Sequence, residues 1–196
     1  EKGMSWRITA ILILLVFYVV YIGKMILQRK KGIRTDQIAK RQRRDKIFYT
    51  ELVMKIATYF VVLVEVVSIL VVKPDFPAAV IIIGMLLGIA GDMIFAAAVV
   101  TMRDSWRAGI AEEDKREMIT SGIYKISRNP AFLGFDCVYL GILLMFFNWI
   151  LLAASVFATL MLHLQILQEE KYLPAAFGEA YISYKKCVRR YLGRKE

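Results

Sequence analysis

The sequence predicts an all-α, polytopic membrane protein with about five transmembrane helices, and three observations support this fold class. First, 58% of the 196 residues are hydrophobic and the mean hydropathy is +0.52, which is too apolar for a soluble chain. Second, the apolar residues gather in runs close to the roughly 20 residues that a membrane span needs. Third, the basic residues behind the net charge of +10 flank those runs, as topology-setting charges do. The charge therefore indicates contact with membrane lipids, not with nucleic acid. One domain is expected over residues 1–196.

The first span is predicted at residues 5–28, and a strongly basic loop follows at residues 29–46. The span is longer than a signal peptide, and no small-residue cleavage site follows it. The loop contains nine Lys and Arg residues against Asp36 and Asp45. By the positive-inside rule, the loop should be cytoplasmic and the N-terminus should lie outside.

The second span is predicted at residues 47–72. Glu51 and Lys55 stand four residues apart near its start, a spacing that predicts a helical ion pair close to the interface. Glu65 lies deeper, where an ionisable side chain should face the bundle and not lipid. Either a proton or substrate contact or an internal hydrogen bond to a neighbouring helix would explain Glu65.

The third span is predicted at residues 78–101, after a short outer turn at residues 73–77. It contains Gly84 and Gly88, which are separated by three residues, and then Gly91. Small residues at this spacing allow two membrane helices to approach closely. Because no strand precedes the glycines, they predict helix packing and not a nucleotide-binding loop.

A second cytoplasmic connection is expected at residues 102–128. Its acidic run at residues 112–114 is typical of a solvated turn. Trp106 is expected to anchor the chain at the membrane interface, with a ligand contact as the alternative. Residues 115–127 mix charged and apolar side chains, which predicts an element lying on the membrane surface.

The most informative stretch is the motif segment, residues 119–134, which reads ITSGIYKISRNPAFLG. Pro130 cannot continue a helix from its N-terminal side, and it suits the first turn of the apolar helix that follows. It also biases Asn129 toward an extended conformation. Tyr124, Arg128 and Asn129 should therefore lie at the mouth of a membrane helix.

The fourth and fifth spans are predicted at residues 131–147 and 149–167, with a very tight turn between them. So short a connection indicates a helical hairpin. His163 and Gln165 lie near the inner end of the fifth span. A lone His in a helix is usually a packing residue, but these two polar side chains lie close to further acidic residues and favour a site.

Those acidic residues are Glu169 and Glu170, at the predicted C-terminal end of the fifth span. The helix dipole disfavours negative charge there. A basic partner such as Arg128, continuation of the helix into water, or a cationic ligand would offset that cost. Beyond them, residues 175–191 predict an amphipathic, basic helix on the inner membrane surface.

Two stretches of the C-terminal half resemble the isoprenylcysteine carboxyl methyltransferase family, which belongs with the phospholipid methyltransferases. The first, from Gly122 and Tyr124 through Arg128-Asn129-Pro130 to Gly134, is similar to the family pattern G-x-Y-x-x-x-R-H-P-x-Y-x-G. The second contains the similar residues Glu169, Glu170, Leu173, Phe177, Gly178, Glu179, Tyr181, Tyr184 and Lys185. Their order and spacing fit the family's helical hairpin.

The resemblance implies methyl transfer from S-adenosyl-L-methionine, with S-adenosyl-L-homocysteine as the product, at the cytoplasmic membrane face. The cofactor-binding half would cover approximately residues 102–196. The side chains proposed for cofactor binding lie around the start of the fourth span and the end of the fifth: Met118, Ile119, Tyr124, Asn129, Pro130, Ala131, Phe132, His163, Gln165 and Glu169. Glu169 would hold the ribose or the amino group of the cofactor, with Glu170 as the second choice.

Arg128 and Glu170 are the candidate catalytic residues. A planar guanidinium suits a substrate carboxylate or phosphate, although Arg128 could instead pair with Glu169 or Glu170. The acceptor would be a lipid or a lipidated molecule that enters sideways from the bilayer. No metal site is expected, because the two cysteines, Cys137 and Cys187, have no metal-binding or disulfide spacing.

The chain departs from the family pattern at two positions, with Asn129 where His is usual and Phe132 where Tyr is usual. Asn can donate and accept hydrogen bonds but cannot titrate near neutral pH. Two other functions stay open. The sterol-reductase-like membrane enzymes have a similar stretch and use a reduced nicotinamide, and a non-catalytic membrane scaffold would bind neither cofactor.

Overall fold

The computed structural model describes residues 2–40, 44–107 and 117–195. Within these ranges the chain is mainly helical, and an isolated bridge between extended residues joins Val188 and Arg194. The helices are α1 (Lys2–Lys30), α2 (Lys46–Val71), α3 (Ala78–Met102), α4 (Pro130–Met145), α5 (Trp149–Phe177) and α6 (Glu179–Cys187), with 3-10 turns at Arg103–Ser105 and Gly122–Lys125. The predicted acidic run at residues 112–114 and the start of the predicted surface element lie outside the described residues.

The all-α membrane architecture is confirmed, with one qualification on span length. Helices α1, α2, α3 and α5 are long and apolar enough to cross a bilayer. Helix α4 has 16 residues, so it is about 24 Å long, short of the roughly 30 Å hydrocarbon core. It forms the predicted hairpin with α5, whose first turn Asn148 caps by accepting a hydrogen bond from the Leu151 N–H.

Hydrogen bonds define two ends of the helix bundle. At the end that we call the site end, the Gln28 side chain donates to the carbonyl of Trp106 at 3.0 Å, joining the C-termini of α1 and α3. At the opposite end, Arg7 donates to the Val72 carbonyl at 3.1 Å, and Asn148 donates to the Ser68 hydroxyl at 2.9 Å. The five long or apolar helices therefore run antiparallel to their chain neighbours.

Glycines bring α3 and α4 into close contact, as the sequence predicts. A Cβ built on Gly84 would lie 2.6 Å from the carbonyl oxygen of Gly141, and one on Gly91 would lie 2.8 Å from that of Gly134. Gly88 instead faces α1, where its Cβ would lie 2.9 Å from Ile13. With no side chains between the backbones, the start of α4 is held firmly against α3.

Trp106 is buried, so the prediction of an interfacial anchor was wrong. Only 4% of its surface is exposed. Its ring packs edge-on against Tyr21 and Phe95, at centroid distances of 5.5 and 6.1 Å. The bond from Gln28 to the Trp106 carbonyl draws this residue into the bundle, and the ring lines a cavity there.

The second span differs from its prediction at Glu51 and Lys55, which have separate partners. Lys55 binds Asp36 at 3.0 Å. Glu51 is fully buried and accepts hydrogen bonds from the Ala39 N–H at 2.9 Å and from Gln165 at 3.3 Å. Glu65 faces the bundle as predicted, and neither of its oxygens has a hydrogen-bond partner among the described residues.

The fifth helix runs ten residues past its predicted end, through Glu169 and Glu170 to Phe177. Neither carboxylate therefore lies at a helix terminus, so no dipole cost arises. Gly178, with a φ of 58°, ends α5 and begins α6. The predicted amphipathic helix at residues 175–191 is correspondingly shorter, because only Glu179–Cys187 is a separate helix.

Candidate functional site

Asn129 and Pro130 form the start of α4 as the sequence predicts. Pro130 occupies the first turn, and Asn129 precedes it with a φ of −133° and a ψ of 54°, so Asn129 does not adopt the extended conformation that was expected. The Asn129 side chain does not cap the helix. It donates to Oε1 of Glu170 at 3.3 Å and to the Arg190 carbonyl at 3.2 Å. Asn129 therefore acts as a neutral hydrogen-bond donor. These two hydrogen bonds do not require a side chain that titrates, such as His.

Glu170 is the centre of a buried charge cluster, which also contains Arg128, Asn129 and Arg190. Its Oε1 lies 3.1 Å from Nη1 of Arg128, and the side chains of this pair are 4% and 5% exposed. Its Oε2 accepts from Nη2 and Nε of Arg190, at 2.9 and 3.1 Å. Arg128 is thus one of the partners expected to offset the charge of the acidic pair.

The C-terminal tail, residues 188–194, folds back on the motif segment. The Arg128 N–H donates to the Arg189 carbonyl at 3.2 Å, and the Gly193 N–H donates to the Ile126 carbonyl at 2.7 Å. A bond of 2.8 Å from the Arg189 N–H to the Gly193 carbonyl closes the tail on itself. Arg190 is therefore presented to Glu170 by a fixed backbone.

Two tyrosines of α6 fix the other side of the motif segment. The Tyr184 hydroxyl donates to the Tyr124 carbonyl at 2.7 Å, and Nη1 of Arg128 donates to the Tyr181 hydroxyl at 3.3 Å. Burial raises the pKa of Tyr184 well above its ordinary value. The phenol therefore stays protonated and keeps its bond to the Tyr124 carbonyl at physiological pH.

A small cavity of about 80 Å³ lies beside this cluster. It is formed by the motif segment, the end of α3, α5 and α6. Its walls are Met102, Ser105, Glu117, Met118, Ile119, Tyr124, Arg128, Asn129, Leu173, Phe177, Tyr181 and Tyr184. Five of the residues predicted for the site, Met118, Ile119, Tyr124, Arg128 and Asn129, therefore line one cavity.

A larger cavity of about 310 Å³ adjoins the start of α4. It is formed mostly by apolar and aromatic side chains of the five longer helices. Among its walls are Tyr18, Tyr21, Met25, Met54, Tyr59, Val62, Phe95, Trp106, Phe135 and Leu162. The predicted site residues Ala131, Phe132 and Gln165 line this second cavity and not the first.

Polar groups of the second cavity lie at its site end, where Asp36 binds Lys55 at 3.0 Å and Arg107 joins the wall. Burial alone would raise the pKa of Asp36. Hydrogen bonds from Lys55 and the Ile38 N–H, with the charges of Lys55 and Lys40, outweigh that effect and lower the pKa. Asp36 is consequently ionised near neutral pH and orients the Lys55 ammonium.

The remaining predicted residues line neither cavity. His163 contacts the Tyr191 hydroxyl through Nδ1 and stacks on its ring at a centroid distance of 5.9 Å. Glu169 accepts a hydrogen bond from Gln165 at 3.0 Å. Pro130 is buried.

Sequence reasoning missed Arg190 and the part of the second cavity formed by α1 and α2. Arg190 belongs to a basic tail whose charge was fully explained by membrane topology. The cavity residues of α1 and α2 are ordinary span residues, and only their helical register brings them to one face. The sequence contained no indication of the cavity residues of α1 and α2. It did indicate a partner such as Arg190, because buried acidic side chains require basic partners.

Part of the chain is similar to proteins of a known family. The model of the isoprenylcysteine carboxyl methyltransferase (ICMT) family matches residues 80–175. The chain is 30% identical to protein-S-isoprenylcysteine O-methyltransferase B of Arabidopsis thaliana over 110 residues, which cover 54% of this chain and 55% of that protein. It is 26% identical to protein-S-isoprenylcysteine O-methyltransferase of Xenopus laevis over 110 residues, 55% of this chain and 38% of that protein.

The chain thus spans about half or less of the length of these curated relatives. The matched region contains nearly all of α3, the motif segment and almost the whole α4–α5 hairpin. Those are the elements that position Arg128, Asn129 and Glu170. Residues 80–175 are thus similar to the isoprenylcysteine carboxyl methyltransferase family.

Proposed function

We propose that this protein transfers a methyl group from S-adenosylmethionine to a lipophilic acceptor of the isoprenylcysteine carboxylate type at the cytoplasmic membrane face. The observation that carries the proposal is the pair of cavities at the start of α4. Asn129 lines the smaller one beside the Arg128 guanidinium, and Ala131 and Phe132 line the larger one, which opens toward lipid. A transferase that joins a polar cofactor to an apolar acceptor needs two such sites side by side.

The smaller cavity fits one end of the cofactor. Nε of Arg128 is buried in its wall and has no hydrogen-bond partner among the described residues. A buried N–H donor without a partner is costly, and a ligand carboxylate would satisfy it. The enclosed 80 Å³ is below the roughly 300 Å³ at which pockets for whole drug-sized ligands begin. It would therefore hold the amino-acid end, with Met118 and Ile119 beside the adenosine.

The larger cavity fits an acceptor that arrives from the bilayer. Ile22 of α1 and Tyr59 of α2 line it and are 51% and 68% exposed, so it opens between these helices toward lipid. Val62, Phe135 and Leu162 are apolar and are the lining residues farthest from the site end along α2, α4 and α5, which we call the deep end of the cavity. The Lys55 ammonium and the Arg107 guanidinium at the site end suit an anionic head group.

For methyl transfer, the protein would need mainly to position the cofactor and the acceptor relative to each other. When bound, S-adenosylmethionine supplies an electrophilic methyl group, and an ionised acceptor carboxylate is itself the nucleophile. Arg128 and Asn129 are already fixed by Glu170, so the site needs little reorganisation to orient its ligands. The apolar wall around Phe132 excludes water from the reacting groups. No general base is required of the chain.

The cytoplasmic placement rests on charge. The site end carries the basic loop after α1 and the basic residues of α6 and the tail. An excess of Lys and Arg marks the cytoplasmic side of membrane proteins. The same cations would bind anionic headgroups beside the cavity mouth.

The test is calorimetric titration of the detergent-solubilised protein with S-adenosylhomocysteine. We expect micromolar binding by the wild-type protein and loss of it in Arg128→Lys, which keeps a positive charge beside Glu170 but lacks the Nε–H that is proposed to bind the cofactor carboxylate. NADPH should not bind. Binding of NADPH with none of the homocysteine product would indicate a reductase, and binding of neither by folded protein would indicate a scaffold.

The acceptor cavity has its own test in Val62→Trp. The indole should fill the deep end of the cavity and reduce methyl transfer to N-acetyl-S-farnesylcysteine by about tenfold or more, while binding of S-adenosylhomocysteine stays unchanged. Leu63→Trp is the matched control, because Leu63 is the next residue and is 60% exposed on the lipid face. Equal transfer by both variants would exclude this cavity as the acceptor site.

A further inference from the structure

One carboxylate, that of Glu170, serves two guanidinium groups, and it divides its oxygens between them. Oε1 lies 3.1 Å from Arg128 and also accepts from Asn129. Oε2 accepts two hydrogen bonds from Arg190. A carboxylate without the second arginine could turn both oxygens to Arg128, in the fork-to-fork geometry that guanidinium groups favour.

The way in which Arg128 meets Glu170 matters for the smaller cavity. Only Nη1 of Arg128 contacts Glu170, and the same nitrogen contacts the Tyr181 hydroxyl. Nε stays buried in the wall without a partner among the described residues. Bidentate pairing of Arg128 with Glu170 would engage a second guanidinium nitrogen and turn the group toward the carboxylate, which would leave fewer of its N–H donors for a ligand.

We propose that Arg190 is a positioning residue that occupies Oε2 of Glu170 and thereby keeps Arg128 directed at a ligand carboxylate in the smaller cavity. The proposal rests on the proposed function, since it assigns Arg128 a ligand there. Arg190 lines neither cavity, so its guanidinium would act on Arg128 through Glu170. It also lies beyond residues 80–175, the region that the family match covers.

Contacts of the C-terminal tail on both sides of Arg190 hold this residue in position. The Arg189 carbonyl accepts from the Arg128 N–H, and the Arg190 carbonyl accepts from the Asn129 side chain. On the other side of Arg190, the Tyr191 ring stacks on His163 of α5. The residue is therefore anchored by its neighbours on both sides, and its guanidinium meets a side chain that is 4% exposed.

An arginine that merely stabilised the fold would give the same contacts, so the experiment must separate the two roles. Arg190→Ala is titrated with S-adenosylhomocysteine and with methylthioadenosine, which lacks the carboxylate and the amino group. Arg189→Ala is the matched control, because it removes the same charge from an exposed neighbour and keeps the backbone carbonyl that binds Arg128. Unfolding temperatures are recorded for every variant.

We expect Arg190→Ala to weaken S-adenosylhomocysteine binding by about tenfold or more and to leave methylthioadenosine binding unchanged. Arg190→Lys should recover part of the affinity, because an ammonium still occupies Oε2, and Arg189→Ala should bind as the wild type does. If Arg190→Ala does not fold, Arg190→Gln is compared in the same way.

The ligand carboxylate could come from the acceptor instead of the cofactor, and a second arm distinguishes the two sources. N-acetyl-S-farnesylcysteine is compared with its methyl ester as a ligand of wild type and Arg190→Ala. If Arg190→Ala weakens binding of the acid but not of the ester, the acceptor is the source of the carboxylate. The proposal is overturned if Arg190→Ala binds all four ligands as the wild type does. It is also overturned if the variant binds ligands with and without the carboxylate more weakly by the same factor. Failure of the wild type itself to bind S-adenosylhomocysteine would instead overturn the proposed function.

Discussion

Replacing Gly141 with Ala should lower the free energy of unfolding by about 3 kcal/mol, at the upper end of the cost of overpacking a core. The added Cβ would lie 2.6 Å from the Gly84 carbonyl oxygen and 2.7 Å from the Gly88 backbone nitrogen. Both are backbone atoms of α3, so no side chain can turn aside to make room. The two helices must separate, and the start of α4 would move with them.

Thermal unfolding in detergent measures this effect, with Gly23→Ala as the control. Gly23 also lies inside an apolar helix, but nothing stands within 4 Å of its Cβ position. That change should leave stability unaltered or raise it by about 0.5–1 kcal/mol, the helix preference for Ala over Gly. Equal unfolding temperatures for Gly141→Ala and wild type would mean that α3 and α4 do not pack through these glycines.

The second large effect is expected from Glu170→Gln. Arg128 is 5% exposed and would lose its buried counter-charge, and breaking a buried ion pair by removing one partner costs about 3–5 kcal/mol. Asn129 and Arg190 would lose the same carboxylate. We therefore expect a lower unfolding temperature together with loss of S-adenosylhomocysteine binding, since Arg128 and Asn129 line the smaller cavity.

Glu179→Gln makes the same chemical change at an exposed position in the first turn of α6. It should alter stability by no more than about 0.5 kcal/mol, as ordinary surface substitutions do. Unfolding experiments on the two variants in parallel isolate the contribution of burial. A Glu170→Gln protein as stable as Glu179→Gln would show that the charge cluster does not hold the site together.

Much of the fold follows from patterns that the sequence displays locally. Runs of apolar residues located five helices, and Pro130 located the start of α4, because lipid and a proline ring each constrain the backbone directly. The glycines of α3 predicted close helix packing, because residues without a side chain allow a second helix to approach. The partners of those glycines, Gly134 and Gly141, needed the structure, since spacing on one helix does not identify the other.

The end of α5 could not be predicted from hydropathy. The apolar run stops before Glu169, but backbone hydrogen bonds continue a helix regardless of what its side chains meet. Even Pro174 lies inside α5, where a proline would ordinarily end or kink a helix. The true stop is Gly178, whose positive φ suits a residue without a Cβ.

The candidate site was predictable only where a motif existed. Met118 and four residues of the motif segment line the smaller cavity as expected, because they are close in sequence to the turn that presents them. Arg190 reaches Glu170 through a fold of the tail, and the larger cavity arises where helices far apart in sequence meet. Both depend on tertiary contacts, which composition and spacing do not encode.

Helix α5 has 29 residues and is therefore about 43 Å long, whereas the hydrocarbon core of a bilayer is roughly 30 Å thick. Glu170 stands roughly 32 Å along this axis from Trp149, at 1.5 Å per residue, just past that thickness. The length of α5 before Glu170 thus determines how far the charge cluster lies from the hydrocarbon core. The depth at which a lipid-borne acceptor meets the site is consequently matched to bilayer thickness, and thicker membranes would draw the charged groups toward hydrocarbon.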